Sequence, residues 1–179
     1  MATNNLKIGS SLPEFNLPAV DGKTYSPSDY NNNKILIVIF SCNHCPYVQA
    51  YEERIMNIQK EYANKGVQIV AISSNDAVKY PEDSFKQMKL RSEEKKFNFP
   101  YLYDEDQSIA KSFGATHTPE VFVFDEKREL AYHGKIDDNW QDESQVKSSY
   151  LKNALDEILA GIDVSVPETY SIGCTIKWK

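Results

Sequence analysis

One short stretch of the chain constrains its fold more than any other: six large apolar side chains follow one another at residues 35–40, in the order Ile-Leu-Ile-Val-Ile-Phe. No polar residue interrupts the run, and isoleucine and valine favour extended backbone. A strand that is apolar on both faces has to be covered on both faces, which is typical of central strands in parallel or mixed sheets. The run therefore predicts an α/β domain built around a buried strand.

The segments around this run alternate between helix-like and strand-like patterns. After Pro46 apolar side chains recur every three or four residues, which predicts a helix that ends near Gly66. The predicted helices cover residues 46–62, 82–96, 106–113 and about 151–161, and the further strands cover residues 67–72, 101–103, 121–124 and 130–133. Residues 12–25 predict an N-terminal β-hairpin, and residues 163–179 an irregular C-terminal tail. This order predicts a central mixed β-sheet flanked by helices, in one domain over residues 1–179.

Composition narrows the possible partners and the compartment. The chain has 179 residues and a net charge of −6, which argues against nucleic acid or an anionic membrane as a partner. No apolar run approaches the ~18 residues of a membrane helix. The first residues lack a basic stretch followed by an apolar one, so we expect no secretory signal and a cytoplasmic location.

Three cysteines are too few, and odd in number, for a structural disulfide framework. In a reducing compartment a closely spaced cysteine pair is more often catalytic or metal-binding than structural. Two of the three, Cys42 and Cys45, occupy the junction between the buried strand and the helix that follows, in the sequence Ser41-Cys42-Asn43-His44-Cys45-Pro46. This position favours redox chemistry over a metal site.

Two cysteines three apart at the start of a helix can close a disulfide without unwinding the chain. Unpaired backbone N–H groups and the positive end of the helix dipole stabilise a thiolate there. We expect Cys42, nearer the helix start, to be the more exposed nucleophile, and Cys45 to resolve the mixed disulfide. His44, between them, is either a cation that makes the disulfide more oxidising or a solvated turn residue without effect.

With this motif placed, the chain resembles the thioredoxin superfamily, and within it the redoxin and peroxiredoxin-like branch. The resemblance extends from Gly9-Ser10-Ser11-Leu12-Pro13-Glu14-Phe15 to the tail that carries Cys174. It implies an α/β thioredoxin fold and a segment with a cis-proline that faces the cysteine pair. Residues 114–125 resemble that segment, so Pro119 is expected to follow a cis bond, and Thr118 to offer its backbone to an incoming peptide.

Peroxiredoxins proper are similar but need a Pro-x-x-x-Thr/Ser-x-x-Cys motif and an arginine. If Cys45 were the peroxidatic cysteine, the threonine position is Cys42, the proline position is Val38, and the arginine is expected about where Pro119 stands. All three positions depart from the pattern. The resemblance therefore favours a thiol–disulfide oxidoreductase, with a thiol peroxidase acting through Cys45 as the alternative.

The third cysteine leaves several interpretations open. Cys174 is a possible second resolving thiol, a link between two subunits, or a partly buried and idle thiol under Trp178. The resemblance is to a subgroup that combines a Cys-x-x-Cys with a C-terminal cysteine. It does not fix the oligomeric state.

A non-enzymatic alternative is a metal-binding or redox-sensing module. His117 is expected near the cysteine pair, and Cys42, Cys45 and His117 would form an incomplete zinc or copper site. Since no fourth ligand is evident, we expect no metal and no cofactor. The expected partners are protein or small-molecule disulfides and a thiol or reductase that donates electrons.

Overall fold

The central five-stranded sheet has the strand order β5-β4-β3-β7-β8 in the computed structural model, which describes residues 6–179. Residues 1–5, which begin the segment examined for a secretory signal, lie outside that range. Strands β4 and β5 run parallel to their neighbours, whereas β7 and β8 run antiparallel to theirs. The sheet is therefore mixed, as predicted. Its strands are β3 (Ile35–Ser41), β4 (Val67–Ser73), β5 (Tyr101–Tyr103), β7 (Glu120–Phe124) and β8 (Leu130–Gly134).

In the part of the chain that the structure describes, four α-helices and two small strand pairs surround this sheet. The helices are α1 (Pro46–Tyr62), α2 (Phe85–Lys95), α3 (Ser108–Phe113) and α4 (Tyr150–Leu159). The outer strands are β1 (Leu17–Pro18) with β2 (Thr24–Tyr25), and β6 (His117–Thr118) with β9 (Cys174–Thr175). The first pair confirms the predicted hairpin. Single 3-10 turns cover Pro27–Tyr30, Ala63–Lys65, Pro81–Asp83 and Glu143–Gln145.

Strand β3 is the centre of the fold because all seven of its residues are buried. Alternate side chains enter two separate apolar clusters, one on each face of the sheet. Ile35, Ile37 and Ile39 pack with side chains of α1 and α4, whereas the residues between them pack with Phe113 and Phe122. Burial of one such side chain contributes roughly 1.5–3 kcal/mol, so the run stabilises both faces at once. The arrangement is the thioredoxin fold that the sequence predicted.

Helix α1 begins where the chain leaves β3. Cys45 is its N-cap residue and Pro46 its first residue, a position where proline's fixed φ suits the helix and its missing N–H costs nothing. The chain then turns back at Gly66, whose φ of 84° is the left-handed conformation that glycine adopts easily, and enters β4. This β3-α1-β4 unit holds the Cys-x-x-Cys motif at one end of the sheet.

The structure differs from the sequence prediction at the starts of two helices and in the tail. A 3-10 turn over Pro81–Asp83 precedes α2, so the predicted start of this helix at residue 82 is wrong. Helix α3 starts at Ser108 rather than Asp106, because Asp106 Oδ1 accepts a hydrogen bond from the Ser108 N–H in the preceding turn. The tail 163–179 is largely irregular, as predicted, but contains β9.

Within residues 6–179 none of the helices is both long enough and apolar enough to span a membrane.

Candidate active site

The two cysteines of the motif lie at the carboxyl end of β3 and the start of α1, as predicted. Cys42 is 1% exposed and Cys45 is 0% exposed. The expectation that Cys42 is clearly the more accessible sulfur is therefore wrong: the C-terminal tail and the Pro119 loop cover both. The two sulfurs are hydrogen-bonded to each other and do not form a disulfide.

Thr118 holds both sulfurs from the opposite side. Its hydroxyl lies 3.6 Å from Cys42 Sγ, and its carbonyl oxygen accepts a hydrogen bond from Cys45 Sγ at 3.4 Å. The peptide bond between Thr118 and Pro119 is cis, as predicted. The cysteine pair and the cis-proline loop, far apart in sequence, therefore form one site.

The two thiols share a proton unequally. The hydrogen bond from Cys42 lowers the pKa of Cys45 to about 4, although burial acts in the opposite direction. The same bond raises the pKa of Cys42, and burial and the negative charge of Asp83 add to this rise. The reduced pair thus carries one negative charge at neutral pH, centred on Cys45 and stabilised by a neighbouring thiol.

A buried carboxylate fixes the loop between the two cysteines. Asp83 is fully buried, and its Oδ1 accepts hydrogen bonds from the backbone N–H groups of Asn43, at 2.7 Å, and His44, at 3.3 Å. Its Oδ2 is bonded to His44 Nδ1 and accepts a bond from Asn75 Nδ2 at 2.9 Å. Four groups therefore converge on one side chain, which offsets the cost of burying its charge.

Asp83 was missed by the sequence analysis, and so was Asn75. Asp83 lies in a polar stretch that resembles any exposed helix start, so no local signal marks it. Asn75 has a usable signal, because it lies two residues after the end of β4. The carboxyl ends of the parallel strands β3 and β4 lie at the same edge of the sheet.

Asn43 is held by further bonds on its side chain and carbonyl. The Tyr101 hydroxyl donates to Asn43 Oδ1 at 2.8 Å, and Gln49 Nε2 donates to the Asn43 carbonyl at 2.9 Å. Asn43 Nδ2 in turn donates to the Glu82 carbonyl at 2.9 Å. Tyr101, which is buried in the core, therefore also orders the loop between the cysteines.

His44 is the partly exposed member of the site, with 26% of its side chain accessible. Its ring stacks on Tyr80, with centroids 5.6 Å apart and planes within 4° of each other. Bonding to Asp83 and stacking on Tyr80 fix the ring beside the cysteines, so it is not a freely solvated turn residue. Its tuning effect on the cysteine pair stays a prediction.

The residues that could hold a metal differ from the set expected. His117 Nδ1 bonds to the Thr116 hydroxyl at 2.8 Å, and in the part of the chain that the structure describes the ligand atoms of Cys42, Cys45 and His117 do not form a group of metal-site dimensions. Among the described residues, the possible ligand atoms that come together belong to Cys42, His44 and Asp83, all within 4.8 Å of one another. Two of these three groups are already bonded to each other, so a metal would have to displace an existing contact.

Glu120 supports the cis-proline loop from behind. It is 3% exposed, and its Oε2 accepts hydrogen bonds from the N–H groups of Thr116 and His117 at 2.7 and 3.0 Å. Its Oε1 is bonded to His133 Nε2 at 2.7 Å. This fixes the loop that presents Thr118 to the sulfurs. His133, a residue of β8, supports it through Glu120.

Cys174 joins the site from the tail. It lies opposite Thr118 in the antiparallel pair of β6 and β9 and packs against Cys42, Cys45 and Val48. Its sulfur is hydrogen-bonded to that of Cys45, which helps to lower the pKa of Cys45. Burial raises the pKa of Cys174 to about 11, and this bond adds to the rise. All three cysteines of the chain therefore meet, with Cys45 in contact with both others.

The chain is similar to known proteins in both sequence and structure. Residues 7–150 match the family model described as Redoxin. A solved structure of an uncharacterized conserved protein from Geobacillus kaustophilus has a TM-score of 0.92 and 39% identity, and the match covers 98% of this chain and 94% of that one.

Two curated relatives are more distant. Peroxiredoxin Bcp of Escherichia coli (strain K12) is 25% identical over 111 residues, and the match covers 62% of this chain and 66% of Bcp. The thiol-disulfide oxidoreductase ResA of Geobacillus thermodenitrificans (strain NG80-2) is 22% identical over 120 residues, covering 66% of this chain and 63% of ResA. The chain thus spans just under two thirds of the length of each curated relative. Because the family model matches most of its length, the chain belongs to the Redoxin family, within the branch of the thioredoxin superfamily that the sequence indicated.

Proposed function

We propose that the protein is a thiol–disulfide oxidoreductase that exchanges a Cys42–Cys45 dithiol or disulfide with an external disulfide or thiol. The observation that carries the proposal is the contact between the two sulfurs beside the cis Thr118–Pro119 bond. A relative named as a thiol-disulfide oxidoreductase supports the same chemistry. By this likeness the substrates are disulfides or thiols of other proteins, or small molecules that carry them.

The two steps follow from the contact between the sulfurs. In the first step Cys42 passes its proton to the Cys45 thiolate and attacks the substrate disulfide, so a mixed disulfide forms and one substrate sulfur leaves as a thiolate. In the second step Cys45 attacks the Cys42 sulfur of the mixed disulfide. The Cys42–Cys45 bond forms, the bond to the substrate breaks, and the proton held by Cys45 passes to the departing substrate sulfur.

The other site residues position or tune this pair. Thr118 and Pro119 shape the groove in which the substrate lies, and His44 and Asp83 set the electrostatic field at Cys42. Neither role requires a cofactor or a metal. Electrons enter from a small thiol or from a reductase protein.

Trapping with single-cysteine variants tests the proposal. Cys45→Ser should accumulate a mixed disulfide on Cys42 with a disulfide-bonded model protein, whereas Cys42→Ser should not. Glu82→Gln, an exposed neighbour of the site, is the matched control and should exchange at the rate of the unchanged protein. A Cys45→Ser protein that captures no substrate, although it folds normally by circular dichroism, would overturn the assignment.

A thiol peroxidase acting through Cys45 is the second candidate, and the thiolate on Cys45 is the observation that favours it. The relative named peroxiredoxin is consistent with it. Against it, Cys42 stands where a peroxiredoxin has its threonine, and the arginines of the neighbouring helices are engaged elsewhere. Arg54 donates to Asp137 Oδ2 at 2.8 Å, and Arg91 donates to Glu52.

Stopped-flow oxidation by hydrogen peroxide separates the two candidates. A dithiol exchanger should react with peroxide at a rate close to that of a free thiol, because nothing polarises the peroxide bond. Fast oxidation that is lost in Cys45→Ser but kept in Cys42→Ser would establish the peroxidase instead.

A further inference from the structure

The C-terminal tail occupies the groove in the manner expected of an incoming peptide. Strand β9 runs antiparallel to β6, and Cys174 lies directly opposite Thr118, the residue before the cis-proline. The Ile176 N–H donates to the Thr116 carbonyl at 2.9 Å and extends this pairing. An extended external peptide would use the same backbone edge, so in this structure the chain's own tail takes its place.

The tail is anchored directly after Cys174. Ile176 is 3% exposed and enters the apolar cluster on one face of the sheet. The Lys177 N–H donates to Asn75 Oδ1 at 2.9 Å, and its carbonyl accepts a bond from Gln107 Nε2 at 2.9 Å. Asn75 also bonds Asp83, so one side chain joins the tail to the group that fixes the Cys-x-x-Cys loop.

This docking creates an access problem for the proposed exchange. Cys42 and Cys45 are almost completely buried, whereas Cys174 is only partly buried. An external thiol can therefore approach Cys174 more readily than either member of the pair. Cys45 packs with Cys42, and Cys174 packs against this pair, so the Cys45 sulfur can change disulfide partner without a large movement of the chain.

We propose that Cys174 is a third exchanging thiol. It takes over the disulfide bond from the buried pair and presents it nearer the surface of the protein. This inference rests on the proposed function. The Cys174 thiolate attacks Cys45 Sγ of the Cys42–Cys45 disulfide. A Cys45–Cys174 bond forms, the Cys42–Cys45 bond breaks, and Cys42 leaves as a thiolate that takes up a proton. One disulfide replaces another, so this step needs no oxidant or reductant, and an external thiol then reduces the new bond.

The state of Cys45 favours this step once the pair is oxidised. In the reduced protein the negative charge on Cys45 helps to hold Cys174 protonated. A disulfide carries no charge, so this contribution disappears when Cys42 and Cys45 are joined. The nearby Lys177 acts to lower the pKa of Cys174 in either state.

Disulfide mapping of the full-length protein tests the inference directly. Each variant is oxidised with one equivalent of diamide, alkylated in acid and mapped by mass spectrometry. Cys42→Ser should form a Cys45–Cys174 bond within the chain, at a rate independent of protein concentration. Cys45→Ser, which lacks the central sulfur, should form no Cys42–Cys174 bond within the chain. A Cys42→Ser protein that gives only linked dimers, or leaves Cys174 free, would overturn the inference.

Reduction kinetics provide a second measurement. The oxidised Cys174→Ser protein should be reduced by dithiothreitol about tenfold more slowly than the unchanged protein. The double variant Cys174→Ser/Ser171→Cys keeps a thiol in the tail but moves it away from Cys45, and should stay slow. Equal rates for all three proteins would show that Cys174 takes no part.

The same samples separate failure of this inference from failure of the proposed function. If Cys174→Ser forms a Cys42–Cys45 disulfide and exchanges it at the full rate, only the role of Cys174 is wrong. If no protein with both Cys42 and Cys45 forms that disulfide reversibly, the proposed function itself is wrong.

Discussion

A Cβ atom at Gly173 would lie 2.0 Å from the carbonyl oxygen of Thr118. No other residue type fits this position without movement of the tail or of the cis-proline loop. Thr118 also receives the Cys45 hydrogen bond on that same carbonyl. The glycine therefore lets the tail backbone lie directly against the group that holds the reactive sulfurs.

Replacing this glycine should release the tail. Gly173→Ala forces β9 away from β6, so the cysteine pair becomes accessible. We expect alkylation of Cys42 and Cys45 by iodoacetamide to speed up about tenfold, which corresponds to about 1.4 kcal/mol of lost docking free energy. Alkylation is followed residue by residue by mass spectrometry.

Ser171→Ala, in the same tail, is the control and should leave the alkylation rates unchanged. Unaltered rates in Gly173→Ala would mean that something other than the docked tail protects the sulfurs.

The charge of Asp83 should set the redox potential of the pair. Asp83→Asn keeps an acceptor for the Asn43 and His44 N–H groups but removes the negative charge that raises the pKa of Cys42. The single negative charge of the reduced Cys42–Cys45 pair is then stabilised, and the reduced form with it. The redox potential should therefore become more positive, by about 30 mV for each 1.4 kcal/mol gained. Glu82→Gln should leave it unchanged. A potential that stays the same or falls in Asp83→Asn would contradict this account.

Loss of the His44 side chain should shift the redox potential of the cysteine pair in the opposite direction. His44→Ala removes a partner of the Asp83 carboxylate, whose charge then acts more strongly on Cys42. We expect a more negative potential, measured by equilibration with glutathione. His44→Asn retains a nitrogen donor near the place of Nδ1 and should recover part of the shift. If both variants move the potential upward, the imidazole does not act through Asp83.

The lowered pKa of Cys45 should appear as a pH dependence of stability in the reduced protein. From about pH 4 to the ordinary value of 9.0, the folded protein holds Cys45 as a thiolate whereas the unfolded chain holds a thiol. The unfolded state binds more protons in this window, so stability rises with pH and is lost as pH falls towards 4.

Urea unfolding of reduced Cys45→Ser and the unchanged protein, compared at several pH values, isolates this contribution, because all other titrating groups are common to both. The difference in unfolding free energy should grow steadily from pH 4 to pH 8 in favour of the unchanged protein. A difference that does not vary with pH would show that Cys45 is not a thiolate.

The main elements of the fold follow from local patterns in the sequence. An unbroken apolar run of six residues rich in isoleucine and valine favours a strand buried on both faces, and the helical spacing after Pro46 predicts the next element. Because both patterns are local, the strand–helix junction and the two cysteines within it were predictable. The cis bond before Pro119 came from the family resemblance and agrees with the structure.

The environment of the sulfurs was not predictable in the same way. Cys42 meets Thr118 across 76 residues of sequence, and Asn43 meets Asp83 across 40. Asp83 resembles an exposed acid at a helix start, and only the 3-10 turn that precedes α2 directs it inward. Cys174 was assigned to the tail, but neither composition nor spacing showed what the tail would contact.

The sequence by itself determined the central strand, the helix after it and the two cysteines at their junction, since the apolar run and the helical spacing are patterns among neighbouring residues. Tertiary structure alone decided that both sulfurs are buried, that Asp83 holds their loop and that Cys174 lies against Cys45. These contacts join segments that are distant in sequence, so their energies exist only once the whole core has assembled.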